Sequence, residues 1–252
     1  MRQARDGPGA ALAMAVGLAG LASAMGVGRF AFTPMLPLMQ AAGLLDLPQG
    51  AWLAAINYLG YLVGALICAF FPPPPLQAAR WGLAAVALLT LAMGLPLDFA
   101  AWLLLRFGAG VASACVLVGV SAWALTTLAS LGRSNLAGVV FAGVGTGIAA
   151  AGLVGLAAGT AGLAPAPTWL LLGSASALVA AAVWWALPAR SQAGARGADV
   201  PSPIGSAGWR LVVCYGLFGF GYIVPATFLP AQARELVPDP ALFGWVWPAF
   251  GL

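Results

Sequence analysis

The chain has 252 residues, of which 62% are hydrophobic and only 6% charged, with a net charge of +4 and a mean hydropathy of +0.99. A soluble domain carries roughly 25% charged residues, so this chain has too little charged surface to coat a folded particle in water, and the composition is that of an integral membrane protein. The same figures exclude a disordered chain and a nucleic-acid-binding domain, and Cys68, Cys115 and Cys214 all lie inside apolar runs, which excludes a disulfide scaffold.

A membrane-crossing helix needs about 20 mostly apolar residues and a barrel strand about 10 with strict alternation, so run length decides between the two. The runs predict an all-α, polytopic membrane helix bundle. The first span is expected from Ala10 to Met39 and carries Gly26-Val-Gly28-Arg29, Pro34 and Pro37. Arg2 and Arg5 followed by Ala22-Ser23-Ala24 would also suit a cleaved secretory leader, but the apolar run continues past that point and further spans follow, so an uncleaved helix is the simpler account. The second span, Ala51 to Phe71, holds Asn57, Tyr58, Gly60, Tyr61 and Gly64, and the prolines from Pro72 to Pro75 make a stiff connector. The third runs from Gln77 to Leu95, and the fourth, from Phe99 to Leu128, contains Arg106. The fifth, Asn135 to Gly159, is rich in glycine, and the sixth runs from Thr168 to Leu187.

The polar stretch from Pro188 to Gly208 then reads as a linker, followed by a seventh span from Trp209 to Ala231. An eighth apolar run begins at Leu242 and reaches the last residue, Leu252, too soon to cross. The expected organisation is a six-helix unit over 1–187, a linker over 188–208, and the start of a second unit over 209–252, with the eighth helix truncated. Basic residues are retained on the cytoplasmic side of a membrane. Arg2, Arg5, Arg80, Arg133, Arg190, Arg196 and Arg210 fall at alternate span ends, whereas the opposite ends hold Arg234 with Asp46, Asp98, Glu235 and Asp239, so the amino terminus is expected inside.

Gly26-Val-Gly28-Arg29 followed by Leu36-Pro37 aligns at constant offset with Gly219-Phe-Gly221-Tyr222 followed by Leu229-Pro230. An internal duplication of six-helix units is implied. The fourth span reads Leu105-Arg106-Phe-Gly-Ala-Gly110-Val-Ala-Ser-Ala114. That run resembles the fourth-helix motif of the major facilitator superfamily, with Ala109 where Gln is usual. The first two spans, around Arg29, Pro34, Pro37, Asn57 and Tyr61, are similar to those of its YbfB/YjiJ-type branch. The resemblance implies a bacterial inner-membrane carrier, monomeric, whose two halves face each other across a midplane site and alternate in access. Two motifs depart from the superfamily. The acidic and basic gating motif after the second span is replaced by the proline run with Arg80, and span five lacks the Gly-Pro pair of drug-proton antiporters.

An arginine in mid-helix costs about 2.5 to 3.5 kcal/mol on insertion scales and must face protein or water. Arg29, Arg106 and Asn57 fall at one depth on three helices, which is what a substrate site needs, and Tyr222 is the repeat partner of Arg29. Each also has a structural reading. Arg106 could clamp the carbonyls of Phe30 and Thr33, whose helix donors Pro34 and Pro37 remove, and Asn57 could make an interhelical hydrogen bond. Gly60 with Gly64, and Gly143 with Gly147, have the spacing for close helix contact. Trp52, Trp81, Trp102, Trp169, Trp184, Trp185 and Trp209 sit near span ends as an interfacial belt would. There is no His, and no Asp or Glu lies in a span, so neither an enzyme, a metal centre nor a cofactor is expected. A proton-carrying carboxylate, if coupling is protonic, must lie outside these residues. The expected function is secondary transport of a small solute, anionic or strongly hydrogen-bonding. The alternative is a truncated, non-transporting membrane component or gene remnant.

Overall fold

The computed structural model describes residues 7–188, 205–206, 208–219, 221 and 245–251. Among these residues the regular structure is helical throughout, with no strand. The elements are α1 (Gly7–Leu21), a π-helical segment (Ala22–Phe30), α2 (Phe32–Ala41), α3 (Leu47–Phe70), α4 (Pro75–Ala92), α5 (Phe99–Ser130), α6 (Ala137–Thr160), α7 (Pro165–Ala186) and the short α8 (Val246–Phe250), while residues 208–219 are also helical. Six stretches are long and apolar enough to cross a membrane, namely Gly9–Ala41, Leu47–Phe70, Pro75–Ala92, Phe99–Ser130, Ser134–Thr160 and Pro165–Ala186. They coincide with the first six expected spans. The seventh is helical as far as it is described, and Tyr222 and most of the 188–208 linker lie outside the described residues.

Helix starts and stops follow local chemistry. Asp46 opens α3 with a capping box, accepting from Gln49 N at 2.7 Å while its own N–H donates to Gln49 Oε1 at 3.0 Å. Asp98 opens α5 by accepting from Ala101 N at 2.8 Å. At the far end of α7, Arg80 donates from Nη2 to the carbonyls of Leu187 (2.8 Å) and Pro188 (3.2 Å), so a cation meets the negative end of that helix. The arginine after the proline run is therefore tied to the sixth span. Gly43, Gly132 and Gly162 take φ near +69°, +70° and +64° where α2, α5 and α6 end, a region other residues rarely enter.

Lipid offers no hydrophobic drive for helices to associate, so small residues that admit close backbones set the packing. The buried stripe of α3 is Gly50, Leu53, Asn57, Gly60, Gly64 and Cys68. A Cβ on Gly60 would strike the Phe107 carbonyl, and one on Gly64 would lie 2.6 Å from the Val111 carbonyl oxygen. The next rung brings Cys68 Sγ within 3.7 Å of Cys115 Sγ, both free thiols. Since each pair is separated by the same number of residues, the second and fourth spans run parallel. The first and fifth spans repeat the device, with Gly143 on the Leu18 backbone and Gly147 on that of Ala22. Outward faces carry Leu59, Leu62, Leu66 and Leu104, as a lipid-facing surface requires. Trp52, Trp81, Trp185 and Trp209 are exposed in keeping with a belt, but Trp102 and Trp169 are not. Those two turn inward and pack with Met35, Met39, Leu53 and Leu172. Position along a span does not reveal which way a ring faces.

Candidate functional site

The site is built around the π-helical segment of the first span. A π-helix bonds each carbonyl to the N–H five residues on, and such segments widen a helix and free carbonyls where the register returns to α. The α pattern resumes with Met35 N donating to the Ala31 carbonyl at 3.2 Å. Just before it, Pro34 supplies no N–H, so a carbonyl at the exit from the π segment is left without its backbone donor.

Arg106 fills that gap. Its Nη1 donates to Gly28 O at 3.2 Å and its Nη2 to Arg29 O at 3.0 Å, with the side chain only 3% exposed. The expected clamp therefore exists, but on Gly28 and Arg29 rather than on Phe30 and Thr33. The correction has a physical cause, because in the i to i+5 register it is the Arg29 carbonyl that would look to residue 34, and that residue is proline. The planar fork spans two adjacent oxygens, and its carbon lies 5.0 Å from the centre of the Phe32 ring. Asn57 braces the same arginine from α3, donating from Nδ2 to Arg106 O at 2.8 Å. Asn57 is fully buried, and its Oδ1 has no partner among the described residues.

Ser113, which the sequence reading did not single out, belongs to this structure. Its Oγ lies 2.8 Å from Ala24 O in the π segment and 2.7 Å from Ala109 O on its own helix. A Cβ on Gly28 would sit 2.6 Å from that oxygen, so the glycine is what lets α5 approach. The signal was available, for Arg106, Gly110 and Ser113 stand at i, i+4 and i+7 on one helix face.

Arg29 is held differently. Its guanidinium carbon lies over the rings of Tyr61 at 4.1 Å, Phe30 at 5.0 Å and Tyr58 at 5.6 Å. Its charge reaches the Tyr61 hydroxyl, yet its Nε is buried with no partner among the described residues. The described acidic side chains are Asp46 and Asp98, both used as helix caps, so no carboxylate in a described span balances either arginine. The sequence thus placed Arg29, Asn57 and Arg106 in one neighbourhood, and the structure brings all three together.

A family model described as "Uncharacterised MFS-type transporter YbfB" matches residues 21–252. The chain belongs to that family of major facilitator transporters. No curated protein matches it. Membership agrees with six membrane-capable helices in a multi-pass bundle, and it makes the chain a membrane transporter that handles a solute within lipid. In this transporter the residues around α8 also reach the site. Pro248 of α8 packs on Gly152, Gly251 lies against Gly145 and Ala149, and Trp247 joins Met25, Phe30 and Ile148 in one buried cluster against which Tyr61 packs.

Proposed function

We propose that this transporter is a secondary carrier that works by alternating access and binds a small anionic solute at Arg29. The observation that carries the reading is the contrast between two neighbouring arginines. Arg106 spends both terminal nitrogens on backbone carbonyls, whereas Arg29 keeps a buried Nε with no partner among the described residues and is surrounded by the rings of Tyr61, Phe30 and Tyr58, with the Tyr61 hydroxyl in reach. A cation held in lipid without a counter-charge is unfavourable alone and favourable with a bound anion, which is the balance a carrier needs. In this reading Arg106 and Asn57 shape the site from behind, and Tyr222, the repeat partner of Arg29, contacts the solute from the second unit. Two six-helix units joined by the 188–208 linker, a monomeric carrier and a bacterial inner-membrane location with the amino terminus inside complete the proposal, supported by the Arg distribution and the parallel glycine-lined crossings. The site reads as one for carriage rather than for catalysis.

Uptake of labelled organic and inorganic anions into proteoliposomes holding the full-length protein tests this. Saturable uptake of at least one anion is expected, abolished in Arg29→Ala while the thermal midpoint in detergent stays near wild type. Normal uptake by a folded Arg29→Ala protein would overturn it.

A further inference from the structure

The walls around Arg29 say more about its ligand than the charge does. We infer that the site takes a monocarboxylate with an apolar body, such as an aromatic carboxylate, and that Trp247 forms part of the wall against that body. This rests on the reading of Arg29 as the anion contact.

The argument starts from the guanidinium, a flat group whose donors lie in its plane and whose faces suit aromatic rings. The centres of the Tyr61, Phe30 and Tyr58 rings lie 4.1, 5.0 and 5.6 Å from its central carbon, and Nε has no partner among the described residues, so the edge bearing Nε is left without a protein acceptor there. Such an edge matches two coplanar oxygens on one carbon. A phosphate or sulfate carries more oxygens and a second charge, and the neighbouring cation that could serve it, Arg106, already donates to Gly28 and Arg29 carbonyls.

The side chains next to Phe30 and Tyr61 are apolar. Phe30 lies 6.3 Å from Trp247 with the rings tilted by 57°, and Met25, Ile148 and Val144 close the same cluster, with Tyr61 packed against it. Within that cluster Trp247 is 6% exposed and its Nε1 has no partner among the described residues, leaving one buried N–H donor beside otherwise apolar walls. One charged edge, one neutral donor and several ring or aliphatic faces make a site for a ligand with a single charged end and an apolar body. Trp247 comes from the second unit, so a body lodged against it would touch both units at once.

Binding of [14C]benzoate to the purified full-length protein in detergent, competed by unlabelled probes, is the test. Benzoate is expected to bind saturably and be displaced by cyclohexanecarboxylate, while acetate, sulfate and benzyl alcohol compete at least about tenfold more weakly, each lacking the body or the carboxylate. Trp247→Leu should weaken benzoate several-fold and leave acetate unchanged. Should that variant unfold, the probe series in the wild-type protein decides by itself. Acetate or sulfate competing as well as cyclohexanecarboxylate, with binding lost in Arg29→Gln, would overturn the apolar-body inference and leave the anion reading standing. Benzoate bound equally well by Arg29→Gln would overturn both. Absence of benzoate binding by folded wild-type protein would overturn the inference alone, since anion uptake that depends on Arg29 is measured separately.

Discussion

Arg29 and Arg106 are the same residue type at the same depth, and what separates them is which nitrogens are already engaged. Arg106 answers two carbonyls in fixed positions, a task for a planar fork and not for a point charge. Arg106→Lys should therefore lower the thermal midpoint in detergent by about 5 °C or more, as charged hydrogen bonds in lipid are lost. Arg29→Lys should shift it little, since the rings around Arg29 accept either cation. Differential scanning of both variants checks this, and equal destabilisation would make both arginines scaffold. At this scale the sequence was informative because a charged residue in an apolar run is conspicuous. It led to Arg29, Asn57 and Arg106, but it missed Ser113, whose hydroxyl is as buried as Asn57 and draws no notice among so many small residues. It also named the wrong pair of carbonyls, because which oxygens a proline strands depends on the helix register, and the π segment changes that register without any residue that announces it.

The glycines of α3 and α6 act as contact surfaces, and their effects separate by what a methyl would meet. Gly60→Ala would drive a Cβ into the Phe107 carbonyl and should cost about 1–3 kcal/mol, as overpacking does, with loss of folded protein on extraction. Gly138→Ala meets nothing within 4 Å and should be neutral or gain a few tenths of a kcal/mol from helix propensity. Fluorescence-detected size-exclusion profiles after heating would rank the two, and an unaffected Gly60→Ala would refute the close crossing of the second and fourth spans. The four-residue glycine spacing announced these contacts in the sequence. What it could not announce was the inward turn of Trp102 and Trp169, because a tryptophan near a span end fits an interfacial belt and a packed interior equally well.

The chain as a whole is organised by where charge is allowed. Asp46 and Asp98 cap α3 and α5 at one end of the bundle, while Arg80 caps α7 at the other, so the loops divide by sign as well as by side. Run length and composition made the bundle and its six spans legible, since few other folds accommodate so apolar a chain. In a protein lacking Cys68, Cys115 and Cys214, a cysteine at Asp46 should react with an impermeant thiol reagent in intact cells and one at Asp199 should not. The reverse pattern would invert the orientation. In the proposed alternating-access cycle the surroundings of Arg29 open to each side of the membrane in turn. In the same cysteine-free background, Tyr58→Cys places a thiol next to that guanidinium, and its labelling by an impermeant reagent can be followed in right-side-out and inside-out vesicles. Labelling from both sides, slowed on both by a transported anion, is the predicted result, whereas labelling from one side only, with or without the anion, would contradict alternating access at Arg29.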